Sequence, residues 1–340
     1  MDSKKVAKAK ETLKKVRMRA MTVQSKFSAD KILGQLKRSK SPLSFILTLL
    51  VILLAAGAVV WVVFFSSSPP VDTDKITVTV PWNAGSMADL TIRALTDKQV
   101  NNISGSNSAV GINEVYASSK DGLNVLGTNL SSIILSHLTG FTQTGAEDWE
   151  YWFVAFSPCV AAVRSDSEIT SLDDLISAGE LTASNAGGGT MSYIAAHIVA
   201  ERHNITMEHR DHPGINPAIN DVLEGTADLI IAPRSDIIAA LNSGELREIE
   251  TDRLLDTAFG SWGEWYALML PKETREDILE FYDEYWSEAA SREEFTSFLT
   301  ENGLLPVHPD LQNRKANKDI AIIMAEMIEM ELVDSGYLRK

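Results

Sequence analysis

Three short stretches carry the residue types that bind a small anion through the main chain: Trp82–Met87 (WNAGSM), Gly105–Gly111 (GSNSAVG) and Asn185–Ser192 (NAGGGTMS). Each is rich in Gly, Ser, Thr or Asn, and each stands just before a helix pattern. Small side chains let a ligand come close to backbone N–H groups, and a helix N-terminus favours negative charge without any lysine. Gly187, Gly188 and Gly189 do not form a phosphate loop, because no Gly-Lys-Ser/Thr ending follows them. They do not form the dinucleotide fingerprint either, since Ser192 stands where its third glycine would be. Taken alone, this stretch reads as an ordinary turn. The shared placement of all three loops is what points to a ligand.

Catalytic and metal chemistry find less support. His209 and His212, near Asp211, could approach one ion, but Pro213 and Gly214 place them in a loop at a cleft rim rather than on one helix face. Ser86 and Ser184 lie outside any G-x-S-x-G elbow, and Asp173 and Asp174 read as helix-start electrostatics. Cys159 is the single cysteine, which excludes an intramolecular disulfide and any multi-cysteine metal site. The chain is therefore expected to be no enzyme and to need no cofactor or metal. Trp82 directly after the first strand, and Trp265 with Tyr266 later, could each cover a ligand's apolar part or simply pack in a core.

These loops need strands and helices to hold them. In KITVTVP, Ile76, Val78 and Val80 alternate with threonines, a strand closed by Pro81, and a helix containing Asp89 and Arg93 follows Gly85. The pattern repeats with a helix over 111–117, a strand over 123–126 ending at Gly127 and Thr128, and a helix over 131–138. Trp152–Val163 reads as two extended pieces bent at Pro158. Ser171 and Asp174 then mark a capped helix start. Strands are expected over 181–184, 227–232 and in WYALMLP, and helices over 190–202, 216–224, 236–241, 275–291, 292–302 and 317–335. Such alternation predicts an α/β fold with parallel sheets covered by helices.

Charge and hydropathy divide the chain. Leu43–Phe65 is twenty-three residues without a charge. At about 1.5 Å per residue, a helix of that length crosses the roughly 30 Å hydrocarbon layer of a bilayer. Before it stand thirteen Lys and Arg against Asp2, Glu11 and Asp30, a net +10. The positive-inside rule then puts residues 1–42 in the cytoplasm and the rest outside. A cleaved signal peptide is the competing reading, disfavoured by the long basic region and the lack of a small-x-small site near Ser66. From Ser41 onward, 18 Lys and Arg face 43 Asp and Glu, or −25. Such a field repels nucleic acid. Residues 66–74 (SSSPPVDTD) read as a linker.

In these residues the chain resembles the substrate-binding proteins of tripartite tricarboxylate transporters, also known as Bug receptors. The segments that carry the likeness are ITVTVPWNAGSMADLTIRAL, SAVGINEVYASSKDGLNVLGTN, LTASNAGGGTMSYIAAH, NPAINDVLEGTADLIIA and WYALMLP, in that order from Ile76 to about Leu305. The resemblance implies a two-lobe periplasmic binding protein fold of type II-like organisation, here behind an N-terminal transmembrane helix. Lobe 1 would be built from 75–160 and 266–340, and lobe 2 from 161–265. It implies a small carboxylate, di- or tricarboxylate, captured between the lobes and delivered to membrane permease subunits by a monomeric receptor domain. On this pattern one carboxylate meets main-chain donors of Asn83, Ala84, Gly85, Ser86 and Met87, beside Trp82. Asp89 meets a polar group of the ligand or water, Gly127 and Thr128 line the cleft, and Ser184, Gly187, Gly189 and Thr190 hold the ligand from the other lobe. The chain departs from the pattern at Ser86, at Ile103 and Ser104, at Tyr193 and at His212 with Pro213, losing an arginine and a lysine on the way. A ligand sensor or scaffold without transport, and less readily an enzyme acting on a carboxylate, are the alternatives.

Overall fold

The structure, a computed structural model, describes residues 70–249, 256–257, 260–334 and 336–338. The basic tail and the apolar run 43–65 lie outside the described residues. Among the described residues, no helix is long and apolar enough to cross a membrane.

Strand and helix alternate through β1 (Thr77–Val80), α1 (Met87–Leu95), β2 (Gln99–Asn102), α2 (Ala109–Ala117), β3 (Asn124–Asn129) and α3 (Leu130–Leu138). The 16-residue β4 (Trp149–Arg164) follows. Next come α4 (Leu172–Ser177), β5 (Glu180–Asn185), α5 (Met191–His203), β6 (Thr206–Asp211), α6 (Ile215–Leu223), β7 (Leu229–Pro233) and α7 (Arg234–Asn242). After β8 (Leu246–Glu248) and the small antiparallel pair β9 (Asp256–Thr257) and β10 (Gly260–Ser261), β11 (Gly263–Pro271) enters the main sheet. The chain closes with α8 (Glu276–Ala290), α9 (Glu293–Glu301), β12 (Leu305–Pro306) and α10 (Arg314–Asp334).

The main sheet runs β2-β1-β3-β11-β4-β7-β5-β6, with β8 and β12 also paired to β4. Pairing is parallel among β1, β2 and β3 and among β5, β6 and β7, as the alternation predicts. The centre is different: β11 is antiparallel to both β3 and β4, and β4 is antiparallel to β7. The sheet is thus mixed rather than parallel throughout. A strand that arrives without a helical crossover enters in the opposite sense, and β11 arrives directly after a short pair of strands.

The expected bend at Pro158 is absent, and β4 is one continuous strand. Its first part, Trp149–Pro158, pairs with β11, and from Cys159 to Val163 it pairs with β7. Pro158 stands where one partner gives way to the other, the place where a missing N–H interrupts the ladder least. Gly263 opposite it is forced by close approach: a Cβ there would lie 2.2 Å from the Ser157 carbonyl oxygen and 2.6 Å from the Phe156 ring.

Apolar residues on one side of β1, β3 and β11 pack with Ile92, Leu95, Tyr282 and Trp286 of the covering helices. On the other side a larger core joins α3, β4, α5 and β7 to the buried stripe Ile320, Ala321, Met324, Ile328 and Leu332 of α10. Asn317 anchors that helix, accepting the Phe153 N–H at 2.9 Å. Trp265 stacks on Phe153 and Phe156 at 4.9 and 4.5 Å between ring centres, so it belongs to this core.

Candidate functional site

Parallel strands deliver their following loops to one edge of a sheet, and ligands collect there in open α/β folds. A cavity of about 370 Å³ lies at that edge. Trp82 reaches it from the residues after β1, Asn129, Ser131, Ser132 and Leu135 from the end of β3 and α3, and Asn107 from the loop before α2. Ala186, Gly188, Gly189, Thr190, Met191 and Ser192 enter from the other direction, after β5. Asp236 on α7 and Glu264 at the start of β11 complete the lining.

Each wall is fixed by its own hydrogen bonds. The Trp82 indole Nε1–H points at a group of three oxygens, Asn129 Oδ1 and Ser132 Oγ at 3.0 Å and Thr128 Oγ1 at 3.2 Å. That holds the ring flat against the cavity. Ser106, Asn107 and Ser108 are three successive left-handed residues without glycine among them, a strained conformation of the kind that clusters at ligand sites. Asn107 O is held there by the Ser136 hydroxyl at 2.8 Å. Across the cavity, Gly187 and Gly189 take φ values of +104° and +80°, and Thr190 caps α5 by accepting the Tyr193 N–H. The Thr190 hydroxyl donates to Gly187 O at 2.7 Å, and Ser192 Oγ accepts the Ala186 N–H at 3.0 Å. Tyr337 lies against Gly188 and Gly189, where any Cβ would meet its ring.

The structure sorts the residues expected from sequence. Trp82, Gly189 and Thr190 line the cavity. Thr128 is buried behind Trp82, Ser184 is fully buried in β5 with its hydroxyl unpartnered among the described residues, and Gly187, outside the lining, accepts the Thr190 N–H within its own loop. Gly127 is core: a Cβ there would press on Val78 and Ile92 within 2.9 Å. Asn83, Ala84 and Gly85 are exposed outside the cavity, and Ser86 and Met87 begin α1. Asp89 is 2% exposed and its carboxylate is taken up internally. It accepts the Gly85 N–H, Arg93 Nε and Asn102 Nδ2, each at 2.9 Å. Burial pushes its pKa up, but these donors together outweigh burial and hold it below the usual carboxylate range.

Glu264 and Asp236 escape a reading of motifs. Glu264 accepts from the Ser131 N–H at 3.2 Å, the Ser131 hydroxyl, and Asn129 Nδ2 at 3.0 Å. The N-terminus of α3 is therefore occupied by an internal carboxylate. Burial raises the pKa of Glu264, and its hydrogen bonds only partly oppose that. Asp236 keeps contact with water in the cavity although protein surrounds it, and burial first, then the Glu264 charge, raises it too. One signal was available for Glu264, a single acid in the otherwise apolar strand WGEWYALMLP. His209 lies in β6, stacked 3.8 Å from His197, while His212 pairs with Asp221 at 2.7 Å. Among the described residues, no group of three or more His, Cys, Asp or Glu is placed to hold a metal ion.

Comparison with known proteins bears on the fold and the family. A TctC solute binding protein from Polaromonas superposes with a TM-score of 0.64 at 18% identity, over 76% of this chain and 98% of that one. The MatC protein of Rhodopseudomonas palustris, solved with bound malate, gives 0.60 at 18% identity over 76% and 98%. At such identity the likeness speaks for the α/β binding-protein fold. A protein from the tcbD-tcbE intergenic region of Pseudomonas sp. strain P51 is 26% identical over 185 residues, 48% of this chain and 55% of that relative. The match thus spans about half of the relative's length. The model of the tripartite tricarboxylate transporter family receptor matches residues 95–326, which include nearly the whole cavity wall. By that match the chain belongs to the tripartite tricarboxylate transporter receptor family, a family of receptors rather than of enzymes.

Proposed function

We propose that this chain is an extracytoplasmic solute receptor that captures a small carboxylate in the cavity at the strand ends and presents it to permease subunits in the membrane. The observation that carries the reading is the placement of Gly188, Gly189 and Thr190, at the N-terminus of α5, on one wall of the cavity opposite Trp82. A helix N-terminus of this kind favours an anion by roughly 0.3–1 kcal/mol when exposed and up to about 2 when partly buried. Residues 75–160 with 266–340 would form one lobe and 161–265 the other. β4 and the segment around Trp262 would be the two crossings, since Cys159 N–H bonds to Trp262 O at 2.8 Å where the pairing of β4 changes.

Calorimetric titration of the full chain with mono-, di- and tricarboxylates, amino acids and sugars tests the proposal. Carboxylate-bearing compounds are expected to bind and sugars are not. Gly189→Val should weaken binding about tenfold or more, because φ of +80° strains a β-branched residue and Tyr337 leaves its side chain no room. Binding confined to sugars, untouched by Gly189→Val, would contradict both the chemistry and its location.

Residues 43–65 would hold the receptor to the bilayer, with the basic tail inside the cell. Mass spectrometry of the membrane fraction should find an intact N-terminus. A mature chain beginning near Ser66 would sink the anchor.

A further inference from the structure

The lining of the cavity has an unexpected charge. Two carboxylates, Asp236 and Glu264, face it, and among the described residues that line it there is no Lys, Arg or His. Glu264 is 4% exposed and sits on the N-terminus of α3, so that helix already has its anion. In the loop after β1, Asp89 takes the Gly85 N–H in the same way. Two of the places where a dicarboxylate would find main-chain donors are thus filled by the chain's own side chains. The α5 end is different. Its flanking residues Gly188, Gly189 and Thr190 line the cavity, and among the described residues no acid bonds to them.

Resting on the receptor reading above, we infer that the ligand is an aminocarboxylate, with its carboxylate at the Gly188–Thr190 loop and its ammonium at the end lined by Asp236 and Glu264. The cavity of about 370 Å³ suits a compound with few heavy atoms between those groups. Asp236 supplies the direct contact, being open to water inside the cavity and, among the described residues, without an ion pair. Glu264, held by Asn129 and Ser131, adds a fixed negative field behind it. A dicarboxylate of equal length would bring a second negative charge against these two, with no Lys, Arg or His among the described lining residues to offset it. Like charges placed together in this way are a device for rejecting the wrong ligand.

Matched probes decide the matter: 4-aminobutyrate and succinate have the same four-carbon chain and differ at one end. Titrated into the full chain above neutral pH, where Asp236, raised to about 7, is ionised, 4-aminobutyrate is expected to bind tighter than succinate by roughly ten- to hundredfold, the size of one charge-assisted hydrogen bond. Asp236→Asn should erase most of that preference by weakening 4-aminobutyrate and strengthening succinate. Because Asp236 keeps its contact with water in the cavity and its raised pKa makes the charge unfavourable to the fold, the variant should melt no lower than the parent does. Tighter binding of succinate by the unmodified chain, or an Asp236→Asn variant with unchanged preference, overturns the inference. Succinate binding should likewise strengthen as pH falls, because protonating Asp236 removes the same charge as Asp236→Asn; a preference that acid leaves unchanged also overturns the inference. If neither probe nor any other carboxylate binds, it is the receptor reading itself that fails.

Discussion

Asp89→Ala is expected to cost roughly 2–4 kcal/mol of folding stability, more than its place in a ligand loop would suggest. The carboxylate is 2% exposed and joins three donors from separate parts of the chain: the Gly85 N–H, Arg93 and Asn102. Removing it leaves Asn102 Nδ2 without one of its acceptors inside the protein. Gly85 and Arg93 reach water, which keeps the loss below that of a wholly buried pair. The effect should also reach the cavity, because Asn102 Nδ2 donates to Trp82 O at 3.0 Å as well. Urea unfolding followed by tryptophan fluorescence gives the first quantity and ligand titration the second. A variant within about 0.5 kcal/mol of the parent would show that the network is dispensable.

Acid should weaken the protein through its stacked histidines. The rings of His197 and His209 lie 3.8 Å apart and 11° from parallel, and burial lowers the pKa of both. For His209 the value falls to about 4, burial acting first and the neighbouring His197 second, against a pull from Asp211. A histidine depressed in the folded state gives stability that is whole above its unfolded value near 6.5 and is lost as pH falls through about 4. Over that interval the loss for His209 alone is on the order of 1–2 kcal/mol once partial solvent screening is allowed for. Asp236 and Glu264 act with the opposite sign: both are raised, so their contribution is whole at low pH and is lost as pH rises through their folded values. The net profile therefore hides part of the histidine effect, and a difference measurement recovers it. Melting curves of the parent and of His209→Phe, taken between pH 7 and 4, should diverge, with the variant much flatter. Equal slopes would mean that the stacked pair does not resist protonation.

Much of the first half was legible because its chemistry is local. Alternation in ITVTV and the Ser171–Asp174 capping box are each written within four or five residues, and each is present. The polar strands β2 (QVNN) and β6 (TMEHRD) were not legible, since both lie at sheet edges where burial imposes no apolar period. Pro158 misled for a related reason: its tolerance depends on a change of strand partner that no local pattern records. In the site, the φ-permissive residues at 187–189 marked a turn, and only the matching placement of the loops at 82–87 and 105–111 marked it as a ligand loop. Glu264 against Ser131 was not visible, because that contact joins residues 133 apart in the chain. Asp89 was visible, but whether its carboxylate faced a ligand or its own loop could be told only once Asn102 and Arg93 were placed.

The central position of β11 has a consequence for how the chain is made. β3 and the first part of β4 pair with β11 on either side, so the ladder between residues 124–158 is completed only by residues 263–271. A chain that emerges N-terminus first must expose two long, apolar strand edges while everything between them is still being synthesised or exported. Closing so long a loop is entropically slow, and the waiting edges are open to pairing with other copies. Residues 180–233 carry the parallel trio β5, β6 and β7 and can assemble in the interval. Biogenesis should therefore run from the middle outward, with arrival of β11 as the committing step and aggregation as the hazard of any delay before it.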